Sequence, residues 1–300
     1  MLALIAGTGD LPAAIIARLP TPPLVCALDG FAPSVPVDVT FRLEQLGSFL
    51  EALKARGVTE ICMAGAVRRP DIDPAAIDPL TAPLVPRLQA AMAQGDDGAL
   101  RAIIALLEEA GFVIVAAHEV APDLLPPMGV LTPAKPSDWH RADATVGEAC
   151  IAEMGAADIG QACIVRVGKV VAREGPDGTD AMLDVFCAPF VREEGASDPF
   201  NFVIDTVGDL IGDAADWLSG QDEDPVTADD GILFKAPKPA QDRRADLPLI
   251  GPGTAIKAAE AGLAGIVIEA GGVMVLDLIG VQSILDAQKM FLWVRPRGGR

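Results

Sequence analysis

The first apolar block of the chain is residues 2–6 (LALIA), which runs without a polar break and stops at a glycine. An unbroken run that short suits a strand buried on both faces of a parallel sheet. Helical spacing follows over 11–19, then prolines, and the apolar run 24–28 predicts a second strand. Residues 43–56 predict a helix and EICMAGAV (60–67) a third strand. The amphipathic stretches 84–94 and 98–111 predict two more helices, and FVIVAAHEV (112–120) a fourth strand. Strands alternating with helices predict a parallel, doubly wound α/β layer over residues 1–125.

The pattern then breaks. Residues 121–138 hold five prolines and little periodicity, the composition of an inter-domain connection, placed at 126–140. A helix is predicted over 142–154, a strand pair over 162–174 turning near Gly168, a strand over 231–236 and a helix over 252–262. The Gly-Gly within AGIVIEAGGVMVLD (264–277) predicts a hairpin. A last helix is predicted over 278–292, with Asp286 and Lys289 on its wet face. The second unit, 141–300, therefore reads as a mixed α/β domain, with an acidic insert at about 184–230. In that insert Phe202, Val203, Thr206, Val207, Leu210 and Ile211 approximate one helical stripe, read first as packing and otherwise as an apolar surface for a lipid chain.

Composition narrows the function classes. Half of the 300 residues are hydrophobic (51%) and only 22% charged, which suits a large buried interior rather than a disordered chain. The 23 basic and 42 acidic residues leave a net charge of −19. Phosphate backbones repel such a field, so no nucleic-acid partner is expected, and long-range attraction to an anionic membrane is disfavoured. The cysteines, Cys26, Cys62, Cys150, Cys163 and Cys187, are odd in number and lack a CxxC pair; buried thiols in a reducing cytoplasm are expected rather than disulfides or a zinc site. No signal-peptide pattern is evident at residue 1, and no apolar stretch approaches the ~20 residues that span a bilayer.

Two regions carry candidate chemistry. Gly7-Thr8-Gly9, between a strand and a helix, outlines a dinucleotide-binding turn, with Gly7 and Gly9 as candidate phosphate contacts through backbone N–H groups. Pro12 replaces the third glycine of that fingerprint and Asp29 is a weak ribose anchor, so a phosphate of another ligand fits better than a nicotinamide cofactor; a tight turn that binds nothing stays open. The richer region is FKAPKPAQDRRADLPLIGPGT (234–254). Lys235, Lys238, Arg243 and Arg244 cluster there in an otherwise acidic chain, and prolines 237 and 239 hold the backbone extended. Fixed cations suit a diphosphate, and Asp246 beside them suits Mg²⁺, which takes one or two carboxylates plus substrate oxygens. The alternative is a solvated loop of surface ion pairs. In GPDGTDAML (175–183) Thr179 reads as a helix cap and Asp180 as a first-turn acid; if this turn faces Asp246, the two carboxylates share a metal. Asp96 or Asp97 reads as a cap. His118-Glu119 is placed at a strand's end and His140 in the connection, and two isolated histidines support neither a multi-histidine metal centre nor a Ser-His-Asp hydrolase.

The segments LIAGTGDLP, MAGAVRRPD, QGDDGALR, GFVIVAAHEV, DIGQACIV, EGPDGTDAML, KAPKPAQDRRADLPLIG and AGLAGIVIEAGGVMVLD together resemble the LpxI-type UDP-2,3-diacylglucosamine pyrophosphatases of lipid A biosynthesis, in family order over nearly the whole chain. The resemblance implies an N-terminal Rossmann-like domain followed by a distinct α/β catalytic domain. It implies hydrolysis of UDP-2,3-diacylglucosamine to UMP and 2,3-diacylglucosamine 1-phosphate (lipid X) with Mg²⁺ or Mn²⁺, by attack at the sugar-side phosphorus. Asp246 matches the family's essential aspartate, and Asp180, Lys235, Lys238, Gln241 and Arg244 match other polar motif positions. The expected roles are catalysis for Asp246, Lys235, Lys238 and Arg244, metal binding for Asp246 and Asp180, and substrate binding for Gly7, Gly9, Thr179 and Gln241. A cytoplasmic protein with transient contact to the inner-membrane surface, and a homodimer, are implied as well. Three departures stand out: Ala66 where asparagine is expected, Arg68 in place of serine, and Thr8 in place of the middle glycine. The region 184–230 is also longer and more acidic than the family's connection. The readings set against this one are a nicotinamide-dependent oxidoreductase, which an NAD(P)H fluorescence titration discriminates, and a non-catalytic nucleotide-sugar or lipid-binding protein.

Overall fold

The run LALIA forms β1 (Leu2–Ala6), flanked by β2 (Leu24–Leu28) and β4 (Glu60–Ala64) in parallel register. The computed structural model describes residues 1–68, 70–92, 95–187, 231–239 and 241–298. The short β3 (Val39–Phe41) and β5 (Val113–Ile114) complete a five-stranded, all-parallel sheet in the order β3-β2-β1-β4-β5. Its helices are α1 (Leu11–Ile16), α2 (Leu46–Ala55), α3 (Val85–Met92), α4 (Asp96–Glu109) and the single turn α5 (Ala117–Val120). Alternate residues of β1 enter cores on opposite faces. Ala3 and Ile5 pack with Phe49, Leu53 and Leu107, whereas Leu4 and Ala6 pack with Leu11, Ile15 and Leu124. Two covered faces explain why the strands read as unbroken apolar runs.

The second sheet has six strands in the order β6-β13-β11-β9-β7-β8. They are β6 (Gly129–Val130), β7 (Ala162–Arg166), β8 (Lys169–Arg173), β9 (Gly231–Lys235), β11 (Leu263–Glu269) and β13 (Phe291–Arg295). The central strands β9, β11 and β13 are parallel, and β6, β7 and β8 make the antiparallel pairings. One face packs on α6 (Asp138–Ala156); the other packs on α7 (Gly178–Cys187), α8 (Pro252–Glu260) and α9 (Leu278–Ala287). A two-stranded parallel ribbon, β10 (Leu249–Ile250) with β12 (Met274–Val275), lies apart from this sheet. Its Met274, with Leu247 just before it, is buried in the core formed by Leu4, Ile15 and Cys62 of the first sheet. The chain is thus mixed α/β in both halves, as its sequence pattern predicts.

Several local expectations are corrected. Residues 112–120 form a two-residue strand and then a helical turn, because Glu119 folds back to accept the Ala116 N–H at 2.8 Å; His118 therefore sits on a helix and not at a strand end. The Gly-Gly at 271–272 does not make a hairpin. The runs on either side of it, β11 and β12, join different sheets. The last helix stops at Ala287, and 291–295 is a strand paired with β11. The proline-rich stretch supplies β6, and His140 lies in the first turn of α6, where it closes a capping box with Ser137. The apolar stripe at 202–211 and the capping by the Asp96 or Asp97 side chains fall outside the described residues. The four described thiols are buried, and burial pushes those of Cys26 and Cys62 up to about 12.

A buried carboxylate, Glu44, pins the loop that follows β4. It accepts from Arg42 at 2.8 Å and from the Asp73 N–H at 2.9 Å. These bonds, the Arg42 guanidinium first, lower its pKa from 4.5 to about 2. Because the folded value lies below the unfolded one, the stabilisation is complete above about pH 5 and is lost as pH falls toward 2. Melting temperatures measured between pH 7 and 2 are expected to fall less steeply for Glu44→Gln than for the wild type, from a lower starting value.

Candidate functional site

β9 alternates between the two faces of its sheet. Leu233 packs on the α7–α9 side, and the period of two puts Lys235 on that same side. The strand is central, so Lys235 is only 7% exposed. Its ammonium donates to Thr179 Oγ1 at 2.7 Å, and Thr179 lies 2.8 Å from Glu174 Oε1. Burial pushes the Lys235 pKa down, and the negative charges of Glu174, Asp180 and Asp246 push it back up. Lys235 thus feels the charges of both sequence-predicted aspartates, Asp180 and Asp246, as well as that of Glu174. Carboxylate oxygens are the hard donors that a divalent cation takes. Among the described residues no group of three or more His, Cys, Asp or Glu side chains forms a metal cage, so a cation here would rest on these two aspartates and on oxygens of its ligand.

Past β9 the chain stays buried through Lys238. Gln241 folds back and ties this segment together. Its carbonyl accepts the Lys238 N–H at 3.0 Å, and its amide donates to Asp246 Oδ2 at 2.5 Å. Gln241 thereby orients Asp246 from the protein side. Lys238 turns elsewhere, to Asp158 at the end of α6 at 2.5 Å. Arg244 is held by Asp242 and by Glu108 of α4, at 2.8 and 2.5 Å. Arg243 pairs with Glu269, which Arg297 also binds. The cationic cluster is thus divided. Lys235 bonds to Thr179 under the charges of the carboxylates, Lys238 makes a part-buried ion pair, and the two arginines are half-exposed braces.

The Gly7–Gly9 turn is bonded to the turn that follows β4. The Gly7 N–H donates to Ala64 O and the Thr8 N–H to Ala66 O, and Ala66 N–H returns the bond to Thr8 O. The turn after β1 thus crosses the turn after β4, backbone on backbone. A Cβ on Gly65 would lie 2.7 Å from the Gly7 carbonyl carbon, and one on Gly7 2.5 Å from Ala66 O. Close approach accounts for Gly7 and Gly65, and the Gly7 and Thr8 amides are spent on the neighbouring turn. Thr8 Oγ1 adds a further bond across the two turns, donating to Ala66 O at 3.1 Å.

Glu174, Gln161, Asp158 and Glu108 went unassigned in the sequence. Glu174 ends the strand pair within the quoted EGPDGTDAML, but only its spatial relation to Lys235 gives it meaning.

The chain is thus a two-sheet α/β protein whose buried lysine, under the charges of Glu174, Asp180 and Asp246, lies at the carboxyl end of a sheet strand, where α/β folds place their ligand sites. Two family models match the chain, the LpxI N-terminal domain over residues 1–124 and the LpxI C-terminal domain over 127–293. The chain also resembles the UDP-2,3-diacylglucosamine pyrophosphatase LpxI of Caulobacter vibrioides, with 35% identity over 299 residues, 97% of this chain and 96% of that relative. It belongs to the LpxI family.

The crossing of the two turns makes a stability prediction. Gly65→Ala meets both a φ of +93° and the Gly7 backbone, and should cost about 2 kcal/mol or more. Gly57→Ala has a φ of +76° with open space around it and should cost only about 1 kcal/mol. Urea unfolding of the two variants measures the difference.

Proposed function

We propose that the chain hydrolyses the diphosphate of UDP-2,3-diacylglucosamine, releasing UMP and lipid X. The observation that carries this reading is the buried Lys235 ammonium under the charges of Asp180 and Asp246, in a chain similar over 97% of its length to a pyrophosphatase of that name. A diphosphate oxygen placed among these groups takes N–H bonds from Lys235, which offsets charge as the P–O–P linkage breaks. The site excludes water from that ammonium, so its charge acts at low dielectric and needs no reorganisation during reaction.

Asp246, with Asp180, would hold Mg²⁺ or Mn²⁺. When bound, such an ion polarises phosphate oxygens and lowers the pKa of a bound water. Gln241 keeps the Asp246 carboxylate turned toward the ligand, and Lys238, through Asp158, fixes the backbone from which Gln241 acts. Arg244 contributes by clasping the site loop to α4. The substrate carries two acyl chains, so the chain meets it at a membrane surface; among the described residues no helix is long and apolar enough to cross a membrane. Attack at the sugar-side phosphorus fits the family resemblance.

Two experiments test the reading. Asp246→Asn keeps the side-chain shape and the Gln241 contact but removes the charge. Its turnover, followed by UMP release in Mg²⁺, should fall about 100-fold or more with the melting temperature held within a few degrees; near-normal turnover contradicts the role of Asp246. Hydrolysis in water labelled with heavy oxygen should place the label in lipid X, and label in UMP contradicts the assigned phosphorus.

A further inference from the structure

Lys235 begins a chain of two hydrogen bonds whose direction is forced. An ammonium only donates and an ionised carboxylate only accepts, so the one hydroxyl proton of Thr179 goes to Glu174 and a hydroxyl lone pair receives Lys235. Thr179 therefore has no proton left for a ligand. Glu174 is itself fixed. It is 6% exposed, its Oε2 accepts the Gln161 N–H at 2.6 Å and its own N–H donates to Ala162 O at 2.9 Å. A Cβ on Gly160 would lie 2.4 Å from Glu174 O, so the turn into β7 closes tightly around this residue. Both oxygens of Glu174 are thus engaged by the protein, one at the start of β7 and one in the first turn of α7.

A lysine side chain is a mobile point charge on four torsions. Holding it before the ligand arrives removes an ordering cost that would otherwise weaken the rate-limiting interaction. Thr179 accepts one of the three N–H groups of Lys235, and this is its one hydrogen bond among the described residues. We infer that Glu174 is a positioning residue, which acts through the Thr179 hydroxyl to direct the Lys235 ammonium so that its other two N–H groups serve the phosphate oxygens beside Asp180 and Asp246. Glu174 thereby serves the protein side of Lys235, both of its oxygens being taken by protein donors. This inference rests on the reading of Lys235 as a diphosphate-binding group.

Glutamine cannot reproduce Glu174 in this chain. If its carbonyl accepts from Thr179, its amide faces the Gln161 N–H donor to donor; flipped, it takes the Gln161 N–H but leaves the Thr179 hydroxyl proton without its acceptor. Valine at 179 keeps the threonine shape and loses the hydroxyl, and serine keeps the hydroxyl. The test is hydrolysis of UDP-2,3-diacylglucosamine by the full chain in Mg²⁺, with melting temperatures, for Thr179→Val, Thr179→Ser and Glu174→Gln, alone, combined and in a Lys235→Ala background. Thr179→Val and Glu174→Gln should each lower kcat about tenfold with KM within about twofold. Thr179→Ser should recover most of the loss. The combined variant should be no slower than the slower single, and neither change should matter once Lys235 is gone. Wild-type kcat in folded Thr179→Val, or losses that multiply or persist without Lys235, would overturn the positioning role. Should Glu174→Gln not fold, the valine and serine variants decide. Wild-type turnover by Lys235→Ala would instead remove the reading of Lys235, and the positioning role with it.

Discussion

A lysine taken out of water must be met by negative charge, or it gives up its proton. Lys235 is taken out of water because β9 is a central strand with helices on both faces of its sheet. Its position at the carboxyl end of that strand brings the charge out of the apolar core just where α7 begins, and α7 supplies Thr179 and Asp180. Glu174 comes from the end of β8 and Asp246 from the loop beyond β9. Four pieces of chain must therefore be in register before the ammonium can be buried, and this makes the site a product of the whole second sheet.

The loop that carries Asp246 depends on the first sheet as well. Ala245 packs into the core on one face of that sheet and Leu247 into the core on the other. Arg244 reaches Glu108 on α4, and the β10–β12 ribbon lies over Leu4 and Ile15. The cores that stabilise the N-terminal half therefore also set where Asp246 sits. On the far side, Glu269 takes both Arg243 and Arg297, while Arg297 donates to Pro237 O at 2.9 Å. The loop is braced from both halves of the chain, while the half-exposed ion pairs in these braces each contribute little stability alone. Their worth lies in direction.

Much of this was legible in the residues, and the failures have physical causes. The buried parallel strands announced themselves as apolar runs, and β9 and β11 were as clear as β1. Short elements were lost: β3 and β6 are three and two residues long, too brief for any period. The hairpin at 271–272 was misread because two apolar runs joined by Gly-Gly look the same whether they pair with each other or with strands elsewhere. Chemistry suggested that Asp180 and Asp246 share a ligand, and both act electrostatically on Lys235, yet the four clustered cations looked equivalent. Only tertiary partners separate Lys235 from Lys238, which Asp158 takes, and from Arg244, which Glu108 and Asp242 take. The Gly7–Gly9 turn is ambiguous in the residues, because close approach of two backbones and close approach to a phosphate demand the same residue. Glu174 stayed unassigned because a carboxylate whose partners are a hydroxyl and a backbone amide leaves no mark in spacing.

The central claim is that the diphosphate is cleaved against Lys235, Asp180 and Asp246. It is tested most directly by a crystal structure of the chain with Mg²⁺, UMP and lipid X. The account predicts a phosphate oxygen within hydrogen-bonding distance of Lys235 Nζ and the ion on Asp246. Phosphates seated on the Gly7–Gly9 turn, with Lys235 bonded to Thr179 and touching no ligand, would contradict it.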